Sequence, residues 1–194
     1  MKIIATGKIR LDKPLNELDK LVLSFIRIVE KHIDYVIISG YVSILFGRSR
    51  STEDVDLFIK PIQKELFIRL YNDLKENGFW CLNAESDEEV YNYLQEGLAI
   101  RFARKNETIP NFEVKIAKGL LNLSTFSDAI TVETDEGKII ISSLERQIAF
   151  KRYFLKSPKD LEDARHVEQL FKDHLDKEKI KNYKTLIEKE YGKT

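Results

Sequence analysis

A chain of 194 residues has room for one complete hydrophobic core and not comfortably for two. Its composition, 43% hydrophobic and 33% charged with 11 Phe and 8 Tyr, excludes a disordered chain, which needs low hydrophobicity and a strong net charge. The 32 Lys and Arg balance the 32 Asp and Glu, so no overall field drives the protein onto nucleic acid or an anionic membrane, and any polyanion must be held by a local cluster.

The N-terminal MKIIATGKIRLDKP lacks the sustained apolar stretch of a signal peptide, and no run approaches the roughly 18 apolar residues of a membrane span. The single Cys81 excludes an intramolecular disulfide framework and a multi-cysteine zinc site, so a reducing cytoplasm is the expected location. Residues 15 to 32 place Leu18, Leu21, Leu23, Ile26 and Val29 near helical spacing with charges between them, which predicts an amphipathic helix. Tyr35 to Ile38 is a short β-branched run ended by Ser39-Gly40, and YVSILFG offers about two helical turns before Gly47. The polar RSRSTED leads into a second strand, Val55 to Ile59, ended by Pro61.

Residues 63 to 77 predict another amphipathic helix, capped at Asn77-Gly78 before a short strand at Phe79 to Leu82. Glu85 to Gln95 reads as an acidic helix. Leu98 to Ala103 and Phe112 to Ile116 read as strands of a hairpin, and residues 126 to 141 hold two β-rich runs around Asp135-Glu136-Gly137. From Ser143 onward the texture is helical, with Ser157 as an N-cap before Pro158 and a charged helix from Asp176 to about Tyr191. Residues 1–142 are expected to form an α/β core and residues 143–194 a C-terminal helical region, beside it or part of the same domain.

The chemistry concentrates in VIISGYVSILFGRSRSTEDVDLFI. Asp54 and Asp56 are two apart at the start of a strand, so the period of two turns both carboxylates to one face, where they can bind hard divalent cations through oxygen. Two Mg²⁺ ions about 3.5–4 Å apart would relieve their repulsion and clamp the attacking and leaving oxygens of a displacement at phosphorus. Gly40, between strand and helix, lets backbone N–H groups approach a triphosphate, and Ser39 adds a hydroxyl donor. Arg48 and Arg50 offer bidentate donors to phosphate oxygens, and Thr52, which holds the turn between them and the carboxylates, is grouped with the nucleotide-binding residues. Glu113, with Lys115 facing the same side, is the candidate third carboxylate, as metal ligand and base.

These residues resemble the signature of the DNA polymerase beta-like nucleotidyltransferase superfamily: a glycine-containing turn, an aspartate-x-aspartate and a later third acid. More narrowly, R-S-R-S-T-E-D-V-D is similar to the arginine-x-threonine-x-aspartate-x-aspartate of the minimal and abortive-infection-type members, and SLERQIAFKRYF and SPKDLEDARHVEQL to their C-terminal helices. The resemblance spans residues 34 to 171. It implies an α+β fold, a mixed β-sheet flanked by helices with C-terminal helices, and a Mg²⁺-dependent transfer of a nucleoside monophosphate from a nucleoside triphosphate such as ATP to a hydroxyl. The acceptor stays open between a protein, a nucleic-acid end and a small molecule. The resemblance also makes Lys151 a phosphate ligand, and it leaves Lys159 and Asp160 to structure. Two departures, Ser39-Gly40 in place of Gly-Gly or Gly-Ser and Glu113 in place of an aspartate, motivate an alternative: a catalytically weak regulatory or antitoxin-like module of the same fold, paired with a small helical protein.

Overall fold

The computed structural model describes residues 1–192. Its strands are β1 (Lys2–Ala5), β2 (Lys8–Arg10), β3 (Tyr35–Ile37), β4 (Asp54–Ile59), β5 (Phe79–Cys81), β6 (Ile100–Arg104), β7 (Asn111–Ile116), β8 (Ile130–Glu133) and β9 (Lys138–Ile141). Its helices are α1 (Glu17–Val29), α2 (Gly40–Leu45), α3 (Lys64–Glu76), α4 (Asp87–Glu96), α5 (Gly119–Leu123), α6 (Leu144–Phe150), α7 (Pro158–Leu170) and α8 (Lys177–Tyr191). The strands form one mixed sheet in the order β1-β2-β8-β9-β3-β4-β7-β6-β5, so the fold is α+β as expected, with β4 near the middle. No helix among the described residues is long and apolar enough to cross a membrane.

Local chemistry explains where the elements start. Asn16 and Asp19 form a reciprocal capping box on α1: Asn16 Oδ1 accepts from the Asp19 N–H at 2.7 Å and Asp19 Oδ2 from the Asn16 N–H at 3.1 Å. Asp19 is fully buried and also accepts from the Tyr41 hydroxyl at 2.9 Å, which ties the start of α1 to α2. Ser86, Ser157 and Asp176 cap α4, α7 and α8, and Gly97 closes α4 at a φ of 92° that favours glycine.

On β4 the burial alternates, with Val55, Leu57 and Ile59 fully buried. The neighbouring strand's Phe112 lies on the same buried side, where it stacks on Phe25 of α1 with ring centroids 3.9 Å apart, and Phe79 meets both rings edge-on. That aromatic cluster fixes which face of the sheet is dry, at about 0.5–1.5 kcal/mol per ring pair beyond simple area burial. The opposite face therefore carries Asp54, Asp56, Glu113 and Lys115.

Three features go beyond the expected elements. The β1–β2 hairpin, turning at Thr6-Gly7, extends the sheet edge by parallel pairing of β2 with β8. The short helix α5 and the 3₁₀ turn Ser124–Phe126 after it fill the span before β8 begins at Ile130. Finally, α6 does not run on as a regular helix but widens into a π-turn over Lys151–Leu155, which ends at Lys156 in the left-handed region.

Candidate active site

Parallel pairing of β4 with β7 sets Asp54 beside Asn111 and Asp56 beside Glu113, and antiparallel pairing of β7 with β6 sets Glu113 beside Arg101. Asp56, Glu113 and Arg101 thus stand in one row across three strands. Arg101 donates to Glu113 Oε1 from Nε at 2.9 Å and from Nη2 at 2.6 Å. Lys115 donates to Glu113 Oε2 at 2.6 Å and to Asp56 Oδ1 at 3.2 Å. Asp54's carboxylate makes no hydrogen bond or ion pair among the described residues. Thr52 Oγ1 donates to the Asp54 carbonyl at 2.9 Å, which holds the turn where the strand begins.

The two facing carboxyls are driven apart in acidity. Burial pushes Asp56 above the usual carboxylate range against the pull of Lys115. Burial pushes Glu113 up as well, but hydrogen bonds from Lys115 and Arg101 outweigh it and hold that carboxyl down at about 2. A group so acidic, with both oxygens on cations, is a holder of charge more than a base, whose efficiency needs a pKa near the working pH.

Ser39 and Gly40 form the turn between β3 and α2. Ser39 has φ 64° and ψ −137°, a conformation that side chains rarely adopt. At Gly40 an added Cβ would lie 2.5 Å from Arg50 Nη2, so the missing side chain makes room for a guanidinium. That guanidinium is engaged elsewhere. Arg50 Nη1 bonds Asp163 Oδ2 at 2.9 Å, Arg48 Nε bonds Asp163 Oδ1 at 2.6 Å, and Lys151 Nζ bonds Asp163 Oδ2 at 2.9 Å and Asp160 Oδ1 at 3.1 Å. Arg48 also pairs with Glu162. The three cations expected at phosphates therefore converge on one fully buried carboxylate of α7 and fasten the loop before β4 to the C-terminal helices.

Beside the carboxylate row lies a cleft of about 390 Å³. Ser39, Asp56 and Lys115 line its sheet side, and Arg146, Gln147, Phe150, Phe154 and Tyr191 line its helical side, with Lys151, 1% exposed, at its floor. Arg146 is fixed by donating to the Leu121 carbonyl at 2.8 Å and to Ser124 Oγ at 2.9 Å, and the Phe154 and Tyr191 rings lie 4.5 Å apart. The cleft thus combines an aromatic wall with cations and one carboxylate, a setting for a flat ring joined to an anion.

Sequence reasoning missed Arg101 and Arg146 and gave Lys115 a face but no role. The strand alternation and hairpin register carried a signal for Arg101, whereas Arg146 is one of many charges on a helix and nothing nearby marks it. Among the described residues, no three Asp, Glu, His or Cys side chains are grouped so as to hold a metal ion, and the Lys115 ammonium lies between Asp56 and Glu113.

No family model and no curated protein matches the chain by sequence. Solved structures do match in fold. The chain is similar to an antigenic nucleotidyltransferase-like protein from Paracoccidioides brasiliensis at 18% identity and a TM-score of 0.53, over 92% of this chain and 91% of that one. It is similar to the antibiotic-resistance factor ANT(2'')-Ia in solution at 14% identity and a TM-score of 0.52, over 89% of this chain and 92% of that one. ANT(2'')-Ia in complex with adenylyl-2''-tobramycin gives 14% identity and a TM-score of 0.51, over 89% and 97% of the two chains. The mixed sheet and its helices are those of the nucleotidyltransferase-like fold.

Proposed function

We propose that this protein transfers a nucleoside monophosphate from a nucleoside triphosphate to a hydroxyl, at the carboxylate face of β4 and β7. The observation that carries the reading is the register that brings Asp54, Asp56 and Glu113 to one sheet face beside the cleft. The narrower likeness to the minimal and abortive-infection-type enzymes rests on the R-S-R-S-T-E-D-V-D segment.

Magnesium fits part of this face. Asp54 offers an unengaged carboxylate and Asp56 an oxygen beyond the one that takes Lys115, a hard-oxygen set suited to the ion. Glu113 does not fit as a ligand, since Arg101 and Lys115 hold both of its oxygens. Bound on Asp54 and Asp56, the ion supplies positive charge against that gathering on the phosphate oxygens.

In the reaction the acceptor oxygen forms the new bond to the α-phosphorus, the bond from that phosphorus to the bridging oxygen of the β-phosphate breaks, and pyrophosphate leaves. The hydroxyl proton is released to solvent, since Arg101 and Lys115 occupy both oxygens of Glu113. Lys115 and Lys118 face the departing charge, and Phe154 and Tyr191 offer a surface for the base. A cleft of about 390 Å³ suits a small-molecule hydroxyl, the kind of acceptor represented by the adenylyl-2''-tobramycin in the ANT(2'')-Ia complex.

Calorimetric titration of ATP with and without Mg²⁺, in the wild type and in an Asp54→Asn, Asp56→Asn double variant, tests the reading. Mg²⁺-dependent binding that the variant loses is the expected result. No binding by the wild type at millimolar ATP defeats it, and binding without label transfer to any acceptor leaves a regulatory module of this fold.

A further inference from the structure

Three carboxylates on one sheet face need cations between them, and the chain itself supplies one between Asp56 and Glu113. Two residues along β7 from Glu113, Lys115 folds its stem back so that one ammonium lies 2.6 Å from Glu113 Oε2 and 3.2 Å from Asp56 Oδ1. Its side chain is 35% exposed, so solvent was open to it, and the acids hold it nonetheless. Glu113 has no oxygen left, because Arg101 holds the other one with two hydrogen bonds. Across the row the carboxylates outnumber the protein's own cations by one, and the unengaged member is Asp54.

Resting on the nucleotidyl-transfer reading, we infer that Lys115 is a built-in counter-ion that takes the place of one of the two expected divalent ions. With nucleoside triphosphate bound, the protein therefore holds a single divalent ion, on Asp54 and Asp56. Charge supports the count. One divalent ion turns the single excess negative charge of the row into a single positive one, which suits a polyphosphate. A second ion would crowd further positive charge against Lys115 and Arg101. Lys115 acts here as a positioning residue: it fixes Asp56 and Glu113 and sets how many ions the face admits.

The test counts ions. Mn²⁺ bound per full-length chain is measured by electron paramagnetic resonance in the presence of an ATP analogue with a methylene group between the α- and β-phosphorus atoms. The expected result is one ion in the wild type, one in Lys115→Arg, and two magnetically coupled ions in Lys115→Met. Two ions in the wild type overturn the inference without any variant, as does a Lys115→Met protein that binds one ion or none. Circular dichroism of the metal-free proteins reports folding, and Lys115→Gln replaces the Met variant if that one does not fold. Failure here is distinct from failure of the proposed function. A wild type that transfers label while holding two ions keeps the activity and removes the lysine's role. One ion in the wild type and two in the variant, with no transfer to any acceptor, keeps the lysine's role and removes the activity.

Discussion

Two charged clusters branch from the stretch of chain between α2 and the middle of β4, and their settings are opposite. Around Asp163, the three cations Arg48, Arg50 and Lys151 meet the three carboxylates Asp160, Glu162 and Asp163, and each has a partner of opposite sign. Around Asp56, among the described residues, three carboxylates meet two cations, and Asp54 is left without an ion pair on the face beside the cleft. The first cluster is closed and ties the core to the C-terminal helices. The second, among the described residues, is one cation short. Charge balance, more than the number of charges, separates a structural fastening from a place where chemistry can happen.

Breaking each cluster in turn sharpens the contrast. Under the proposed function, Asp54→Asn with Asp56→Asn removes the ligands of the divalent ion, so nucleotidyl transfer is expected to fall by about a thousand-fold or more, since several kcal/mol of charge stabilisation is lost and each ~1.4 kcal/mol is tenfold. The melting midpoint of that variant holds or rises, because like charges on one face are removed. Asp163→Ala does the reverse. It strands three cations, one of them fully buried, and destabilises the fold by about 3–5 kcal/mol in urea unfolding, while the folded fraction keeps most of its transfer rate. Comparable losses of stability in both variants would erase the distinction between the clusters.

The acid limb of stability gives a smaller effect. Glu113 is held at about 2 in the folded chain against an ordinary 4.5, so its stabilisation is present above pH 4.5 and is lost as pH falls towards 2. Asp56, pushed up by burial, works in the opposite sense. In melting curves across pH 2 to 5, Glu113→Gln loses less stability on acidification than the wild type, and an unchanged slope would remove Lys115 and Arg101 as the cause. Smallest of all is Ser39→Gly. It relieves a backbone strain of about 1–3 kcal/mol at the cost of some chain entropy, for a net gain of about 1 kcal/mol in urea unfolding. A loss instead would show that the Ser39 side chain holds the turn.

Much of this was written in local pattern. Amphipathic periods marked α1 and α3, Ser157 and Pro158 marked the start of α7, a charged run marked α8, and the alternation in Asp54-Val55-Asp56-Leu57-Phe58-Ile59 turned both aspartates to one face. Glu113 was readable because a strand with Val and Ile on one side must put its charges on the other. The hairpin of β1 and β2 was not readable, since β1 is wholly exposed and β2 buries only Ile9, which leaves no period to detect. The fate of Arg48, Arg50 and Lys151 was not readable either. A guanidinium suits a phosphate and a carboxylate equally well, and only the tertiary fold decides which one it meets.

Asp163 lies 115 residues beyond Arg48 and 113 beyond Arg50. At a synthesis rate of about 5–20 residues per second, β4 and both arginines emerge roughly ten seconds before the carboxylate that will hold them. Until α7 arrives, the loop leading into the aspartate pair lacks its tie to the C-terminal helices, and its two guanidiniums are open to any anion in the surroundings. A chain halted before α7 therefore carries both arginines and the aspartate pair without the carboxylate that fastens their loop.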